Sequence, residues 1–410
     1  HDEYWTKEQR ANVTAARDAG VNLVFFSANE IFWKTRLEPA VAGGATANRT
    51  LVCYKETLDG AKTDPTSEWT GTWRDARFSP PADGGAPENA LTGQLFRCIN
   101  PTYQPDFNLE VPSDYSKLRF WRNTPVASLA AGQKKVLADS TLGYEWDEVV
   151  ENGVQPGGLI RMSRTTATAN EVLIDEGATY AQGTVTHNLT MYRASSGALV
   201  FGAGTVQWAY GLDTEHVSDS GTATDSVIQQ ATINLLADMG AQPGSRQTGT
   251  VAATKSTDTI APTTTILSPA SGASVSSGSP VTISGTSVDA GGGVVAGVEC
   301  SIDGGATWRA ATGTNSWSAV VTPTTQGPLT VRVRSIDDSC NIEVNPASVA
   351  LVVGSRSLPA PLFPDSLVPS VPRSNDGSSI EVGTRIQPIV DGVLTAVRYF
   401  KPSGTTGTHV

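Results

Sequence analysis

The sequence is short of positive charge and has no long apolar run. Its 410 residues include 29 Lys and Arg against 40 Asp and Glu, which gives a formal net charge of −11. Nucleic acids and anionic membranes bind basic protein surfaces, so neither is expected as a partner. No apolar run reaches the ~18 residues of a membrane-spanning helix, so no transmembrane segment is expected in this chain.

Several motifs of well-known chemistry are also missing. The four histidines never pair at metal-ligand spacing, which excludes a zincin helix or a histidine-rich metal site. The chain has no P-loop, no G-x-S-x-G elbow and no complete G-x-G-x-x-G, so chemistry with nucleotide cofactors is not expected. The remaining chemistry is that of oxygen ligands, from carboxylates and tyrosines.

The four cysteines contain no C-x-x-C motif, which argues against a zinc ribbon or a thioredoxin-like site. Their even number, in a chain rich in Thr, Ser and Gly, favours an exported protein with disulfides over a cytosolic protein with free thiols. Of the three ways to pair them, only one keeps each bond within one region of the chain. The predicted disulfides join Cys53 to Cys98 and Cys300 to Cys340.

The first forty residues predict one helix followed by one buried strand. Thr6 and Gln9 form a capping box and Gly20 provides a C-cap, which predicts a helix over about Lys7 to Ala19. The apolar run Val21 to Phe26 has the length of a strand. Because it is continuous rather than alternating, it favours a strand covered on both faces in a parallel sheet.

A second apolar run, Ala198 to Gly204, predicts another strand of the same kind, and Asp225 to Met239 predicts a helix. Residues 1–245 are therefore expected to form an α/β domain with a mostly parallel sheet and long loop insertions. In such sheets, ligands bind at the carboxyl ends of the strands, so three segments of the chain should converge at one rim. The candidate rim residues are His1, Asn29, Glu30, Thr205 and Trp208.

The rest of the chain changes in composition. Residues 246–260 are polar and typical of a linker, and residues 261–354 carry six or seven short β runs at the spacing of a sandwich. This second stretch resembles a bacterial Ig-like domain. Residues 355–410 resemble the opening of a bacterial β-sandwich domain of unknown function, with too few strands to close it. We expect the chain to be truncated there and also before His1, since no strand precedes the first helix.

The Ig-like stretch contains one acidic cluster. Asp337 and Asp338 lie near Asn341 and could bind calcium. A β-turn stabilised by acidic side chains is the favoured interpretation of this pattern.

Seven motifs in the first 245 residues occur together and in order. They are HDEYWT, AGVNLVFFSANEIFWKTRLEP, CYKE, TWRD, PENALTG, YEWD and FGAGTVQWAYGLD. In this combination the region resembles the C-terminal, glutamine-amidotransferase-like domain of the N,N-dimethylformamidase large subunit. The resemblance implies hydrolysis of a linear amide at a mononuclear iron held by two tyrosines and one glutamate. The matching positions are Tyr4, Tyr54 and Glu145.

The implied chemistry is physically sound. Ferric iron with hard oxygen ligands is a strong enough Lewis acid to ionise a phenol at neutral pH. It would polarise the amide carbonyl and lower the pKa of a bound water. A nearby carboxylate, Glu3 or Glu56, would then act as the catalytic base.

A structural interpretation of the same residues stays open. Tyr4 is equally suited to packing between helix and sheet, Glu145 to a solvated turn, and Asn29 and Glu30 to capping a following helix. Two functions therefore remain. The first is an exported hydrolase of small-molecule amides; the second is an extracellular, non-catalytic protein that binds a glycan or a protein partner.

Overall fold

A computed structural model describes residues 2–43, 46–77, 85–99, 107–216 and 223–355. Within these ranges the chain forms six β-sheets and four α-helices. None of these helices is both long and apolar enough to cross a membrane.

All four helices and strands β1 to β13 lie before the linker. The helices are α1 (Lys7–Asp18), α2 (Glu56–Asp59), α3 (Asn89–Thr92) and α4 (Ser226–Asp238), and the short 3-10 helices are Ser113–Tyr115, Arg119–Trp121, Pro125–Ser128 and Trp208–Gly211. The strands are β1 (Tyr4–Thr6), β2 (Leu23–Phe25), β3 (Trp33–Glu38), β4 (Thr50–Val52), β5 (Leu95–Ile99), β6 (Glu110–Pro112), β7 (Lys134–Val136), β8 (Glu145–Glu148), β9 (Ile160–Arg161), β10 (Thr165–Leu173), β11 (Tyr180–His187), β12 (Thr190–Arg193) and β13 (Leu199–Gly202).

These strands form three sheets of three or four strands and one short ribbon. The sheet orders are β1-β3-β4, β11-β10-β5-β8, β2-β13-β12-β9 and β6-β7. Only β1 with β3 and β2 with β13 pair in parallel; every other described pair in this region is antiparallel. The predicted α/β fold with a mostly parallel, glutamine-amidotransferase-like sheet is therefore wrong.

This error has a physical reason: an apolar run predicts a strand that is covered on both faces, but it does not predict the direction of the neighbouring strands. β2 and β13 are parallel neighbours, with Val200 opposite Leu23 and Gly202 opposite Phe25. In β13, Val200 packs in a cluster with Trp5 and Tyr192, whereas Phe201 packs in a second cluster that includes α4. The run is apolar because both faces are covered, and this coverage does not set the direction of the next strand, β12, which is antiparallel.

The two long helices form where the sequence predicts them. Gln9 N donates to Thr6 Oγ1 at 3.1 Å, so Thr6 is the N-cap of α1, which begins at Lys7. Val227 N donates to Asp225 Oδ1 at 2.7 Å at the start of α4. The residues before α1, expected to be a loop, instead form β1 because they pair in parallel with β3.

Residues after the linker form an Ig-like β-sandwich. One sheet has the order β14 (Thr263–Ser268), β16 (Val281–Val288), β20 (Ser316–Val321), β19 (Thr312–Gly313). The other has the order β15 (Ala273–Ser276), β22 (Ala347–Gly354), β21 (Gly327–Asp337), β17 (Val295–Ser301), β18 (Arg309–Ala310). Ile283, Val298, Trp317 and Val331 fill the core between the two sheets.

The sandwich packs directly on the first region. Ile336 of the sandwich belongs to the same apolar cluster as Ile160 and Met191 of the first region. Polar contacts cross the same boundary: Gly158 N donates to Glu299 Oε2 at 3.0 Å, and Arg193 Nη2 donates to the Ser339 carbonyl at 2.7 Å. The two parts therefore share a core.

All four cysteines are free thiols, so the predicted disulfides are wrong. Cys98 lies in the shared core, while Cys53 packs beside Trp33 in a separate small cluster. Cys300 lies in the core of the sandwich, but Cys340 lies in the shared core. Each predicted pair is divided between two cores, which no count of cysteines per region could reveal. An incomplete sandwich is predicted for residues 355–410. Only residue 355 of this range is among the described residues, so this prediction lies outside them.

Candidate active site

Two parallel pairings bring distant segments together beyond the carboxyl end of β2. Ala203 N donates to the Phe25 carbonyl at 2.8 Å, which places the end of β13 beside the end of β2. The chain that follows β2 then turns back along the segment before α1. There, Ile31 N donates to the Asp2 carbonyl at 3.1 Å, and Trp33 N donates to the Glu3 carbonyl at 2.8 Å.

Strand β8 completes this junction. Asp147 N donates to the Gly204 carbonyl at 2.9 Å, and Val206 N donates to the Glu145 carbonyl at 3.2 Å. Asn29 N donates to Asp147 Oδ1 at 3.0 Å. Glu145 and Asp147 are 8% and 4% exposed, so the alternative that they form a solvated turn is wrong. Four segments of the chain therefore meet at one place.

At the centre of the junction, two carboxylates lie near one amide. The side chain of Asn29 opposes the rise in the pKa of both Glu3 and Glu145, and Trp33 Nε1 donates to Glu3 Oε1 at 2.9 Å. Burial raises the pKa of Glu3, and burial together with repulsion from Glu3 raises the pKa of Glu145 to about 7. Glu145 can therefore hold a proton near neutral pH, and the negative charge of Glu3 contributes to this.

A lysine and two phenols border the acid pair. Lys55 Nζ lies 5.3 Å from the ring centroid of Tyr4 and 4.8 Å from that of Trp33. Burial alone would lower the pKa of Lys55, but a hydrogen bond with Tyr4 and the charge of Glu3 outweigh it and raise that pKa. Burial raises the pKa of Tyr180 to about 12; the charges of Glu145 and Glu3 add to this effect, and Arg74 opposes it.

The backbone around these residues is strained. Asn29, Ile31 and Lys55 adopt positive φ angles of 53°, 60° and 51°. This conformation costs an L-residue roughly 1–3 kcal/mol, and a β-branched Ile adopts it only when its surroundings fix it. Ile31 is fully buried and Asn29 is 1% exposed, so packing holds both in place. Strain of this kind concentrates at functional sites.

Comparison with known families assigns the region that contains this junction. A family model described as N,N-dimethylformamidase beta subunit-like, C-terminal, matches residues 1–224, more than half of the chain. The chain belongs to this N,N-dimethylformamidase beta subunit-like family. A bacterial Ig domain matches residues 262–333, and a domain of unknown function matches residues 366–410. These matches confirm the families inferred from the sequence motifs, in the same order.

Comparisons with individual proteins add little. No curated protein matches the chain. Among solved structures, fibronectin(III)-like modules of Clostridium thermocellum CbhA match with 18% identity and a TM-score of 0.18, over 22% of this chain and 94% of theirs. An engineered protein matches with 26% identity and a TM-score of 0.16, over 32% of this chain and 27% of its own. At these scores neither likeness carries an argument.

Of the residues predicted from the sequence of this dimethylformamidase-like region, Glu3, Tyr4, Asn29 and Glu145 lie at the junction. Glu30 lies at its margin, where Asp2 N donates to Glu30 Oε2 at 3.2 Å and burial raises the pKa of Glu30 to about 7. No described helix follows Asn29 and Glu30, because β3 does, so their alternative role as helix caps is wrong. His1 lies outside the described residues.

Glu56, the second predicted base, holds a loop together. Its Oε1 accepts from Thr63 N at 2.6 Å and Asp64 N at 2.7 Å, and its Oε2 accepts from Thr70 N at 2.7 Å. Burial raises the pKa of Glu56, but these hydrogen bonds outweigh it and lower that pKa. Glu56 therefore stays an ionised acceptor, and its oxygens are occupied by the loop.

For three other predicted residues, no described side-chain hydrogen bond reaches the acid pair. Thr205 lies opposite Trp146 at the junction, but its Oγ1 donates to the Thr141 and Leu142 carbonyls, and Trp208 is fully buried in the core. Tyr54 is 43% exposed, and among the described residues no hydrogen bond joins its hydroxyl to Tyr4 or Glu145. Its role as a metal ligand stays a prediction.

Sequence reasoning missed Lys55 and Tyr180. Lys55 is part of the CYKE motif. Its two neighbours, Tyr54 and Glu56, are both predicted site residues, and this position between them was the signal that could have identified Lys55. Tyr180 opens β11, which two intervening strands separate from β8 in the sheet, and nothing in its local sequence indicates that position.

Proposed function

We propose that residues 1–245 hydrolyse the C–N bond of a small linear amide at the junction of Glu3, Tyr4, Asn29, Lys55 and Glu145. The observation that carries this proposal is the pair of half-buried Glu3 and buried Glu145 near Asn29, on a strained backbone. Membership of the N,N-dimethylformamidase beta subunit-like family supports the reaction class.

A mononuclear iron is part of the proposal, and the donor set suits it. The junction offers the carboxylates of Glu3 and Glu145 and the phenol of Tyr4, all hard oxygen ligands. Repulsion between the two carboxylates would be relieved by a cation between them. Glu145 and Tyr4 would hold the ion, with Tyr54 or Tyr180 as the second phenol. When bound, the ion would polarise the amide carbonyl and lower the pKa of water.

The residues of the chain would perform the proton transfers. Glu3, whose pKa burial raises, would take a proton from the attacking water and pass it to the amine nitrogen as the C–N bond breaks. The products are a carboxylic acid and an amine. Asn29 would hold both carboxylates in place, and Lys55 would fix the hydroxyl of Tyr4.

The compartment is proposed as extracellular. The bacterial Ig domain supports export, whereas the free cysteines remove the disulfide argument for it. A non-catalytic protein that binds a glycan or a protein partner through the sandwich is the competing function, and the experiment below separates the two.

The test is metal analysis and amide hydrolysis by the full chain. Wild type is expected to bind about one iron per chain and to release amine from at least one small amide. Tyr4→Phe keeps the ring and its packing, so it should lose iron and activity with little change in melting temperature. Tyr115→Phe, a half-buried tyrosine outside the junction, is the matched control and should keep both. A folded wild-type protein with no iron and no turnover of any amide would favour the non-catalytic function.

A further inference from the structure

Carboxylates from separate segments face one another where the linker enters the sandwich. Asp258 comes from the linker, Asp289 follows β16, and Asp337 ends β21; one oxygen from each lies within 4.8 Å of the others. Asp338 joins them. The position that a Cβ on Gly293 would occupy lies 2.7 Å from Asp338 Oδ1, 2.9 Å from Asp289 Oδ2 and 3.0 Å from Asp258 Oδ2.

Two of these oxygens are buried and lack a hydrogen-bond donor. Asp258 and Asp289 each use Oδ1 in a local turn, where it accepts from Ile260 N at 2.9 Å and from Gly291 N at 3.0 Å. Their Oδ2 atoms have less than 1 Å² of accessible area each, and within the described residues no donor reaches either of them. Burying a charged oxygen without a partner is costly, so these two atoms indicate a missing ligand.

No described side chain forms a salt bridge with the cluster. The charge of Arg119 acts on Asp258 and Asp338, but its guanidinium binds Asp238, with distances of 2.9 and 2.6 Å from Nε and Nη2. Asp337 is held by neutral donors only: Ser339 N, Asn341 N and Asn341 Nδ2, each at 2.8 Å. The cluster therefore keeps its negative charge.

We propose that this cluster binds one calcium ion. Calcium takes six to eight oxygen ligands at about 2.3–2.6 Å in flexible geometry, which suits several carboxylates with oxygens within 4.8 Å of one another. Magnesium requires near-ideal octahedral geometry at about 2.0–2.1 Å and usually keeps several waters, so a cluster made of protein carboxylates suits it less. A small cleft of about 30 Å³ is lined in part by Asp258 and Asp338 and adjoins the cluster.

The ion would join three parts of the molecule. Asp258 belongs to the linker, and Asp289 and Asp337 belong to the sandwich. Asp338 Oδ2 also accepts from Arg119 N of the first region at 2.7 Å. Calcium would therefore fix the linker against the sandwich and the sandwich against the first region.

The experiment uses the full chain, stripped with EDTA and titrated with calcium alone or magnesium alone. Calorimetry should show one calcium site, and calcium should raise the melting temperature and protect the linker from proteolysis, whereas magnesium should bind at least tenfold more weakly. Asp258→Asn and Asp289→Asn should each weaken calcium binding at least tenfold. Without calcium, the melting temperature of both variants should equal or exceed that of wild type, because each substitution removes one of the carboxylates that repel each other.

Asp59→Asn, an exposed acidic residue of the first region, is the matched control for charge and should bind calcium as wild type does. The proposal is overturned if calcium leaves melting and proteolysis of wild type unchanged. It is equally overturned if the calcium response survives both Asp258→Asn and Asp289→Asn. If one variant fails to fold, the other still decides the outcome.

Discussion

The first region and the Ig-like sandwich use their backbones differently. Six described non-glycine residues with positive φ lie before the linker, among them Asn29, Ile31 and Lys55 at the acid pair, whereas the sandwich has one, Cys340. The sandwich is regular, with buried and exposed residues alternating along β16 and β22. The first region instead places three of its strained residues at the acid pair. This difference indicates that the first region gives up stability for a functional geometry.

The largest expected effect on stability comes from the buried ion pair of the first region. Arg74 and Glu88 bind each other through Nε and Oε2 at 3.3 Å and through a second contact, with side chains 6% and 2% exposed. Glu88→Gln leaves Arg74 buried without its counter-ion, so chemical denaturation should show a loss of about 3–5 kcal/mol in the free energy of unfolding.

The sandwich offers the comparison for that loss. Glu343 is also buried, but Thr264 and Ser335 supply neutral donors to it. Glu343→Gln should therefore cost only about 1–2 kcal/mol. Equal losses for Glu88→Gln and Glu343→Gln would contradict the contrast between the two regions.

A pH-dependent effect of histidine should occur only in the first region among the described residues, since residues 261–354 contain no histidine. His187 is fully buried, with Nε2 2.8 Å from the Ala203 carbonyl, and burial lowers its pKa to about 4. Below the unfolded pKa of about 6.5 the unfolded chain takes up a proton that the folded chain refuses, so stability falls as the pH falls from 6.5 towards 4. From these pKa values the loss between pH 7.5 and pH 5 is about 2 kcal/mol.

His187→Gln should abolish that part of the pH dependence. Buried acids with raised pKa values, such as Glu145, contribute with the opposite sign, so the measurement is the difference between wild type and variant in unfolding free energy at the two pH values. A His216→Gln variant, in which the replaced ring stacks on Tyr210 outside the core, should keep the wild-type dependence. Identical pH profiles for wild type and His187→Gln would contradict the prediction.

The smallest effect concerns the strained backbone. Lys55 and Ser140 have positive φ angles of 51° and 61°, which glycine adopts without the steric cost of a side chain. Lys55→Gly and Ser140→Gly should therefore each raise the free energy of unfolding by about 1 kcal/mol. Only Lys55→Gly should reduce amide hydrolysis, because Lys55 contacts Tyr4. If both variants keep full activity, the strain at Lys55 has no catalytic purpose.

Local signals explain which parts of the fold could be predicted. The helices α1 and α4 follow from capping residues, and the strands β2 and β13 follow from apolar runs, since each signal acts within one segment. The direction of β12 beside β13 depends on the connection between them, which a short apolar run does not encode. The disulfide prediction failed for a similar reason, because the two cysteines of each predicted pair lie in different apolar clusters.

The candidate site was predictable only in part. Glu3, Tyr4 and Glu145 belong to motifs of the family, and Asn29 follows an apolar strand, so sequence reasoning selected all four. The closeness of Asn29 to the two carboxylates depends on β1, β2 and β8 meeting in space. Tyr180 is positioned by the pairing of β11 with β10, opposite Leu173, and its segment gives no chemical signal of its own.

The central claim is that the acid pair is catalytic, and the most direct measurement is kcat/KM for amide hydrolysis by wild type and Glu145→Gln. The substitution removes a buried charge that Glu3 repels, so we expect kcat/KM to fall by about 100-fold or more while the melting temperature holds or rises. Glu148→Gln, on the same strand but paired with Arg97, should retain wild-type activity. Undiminished hydrolysis by Glu145→Gln would contradict the claim.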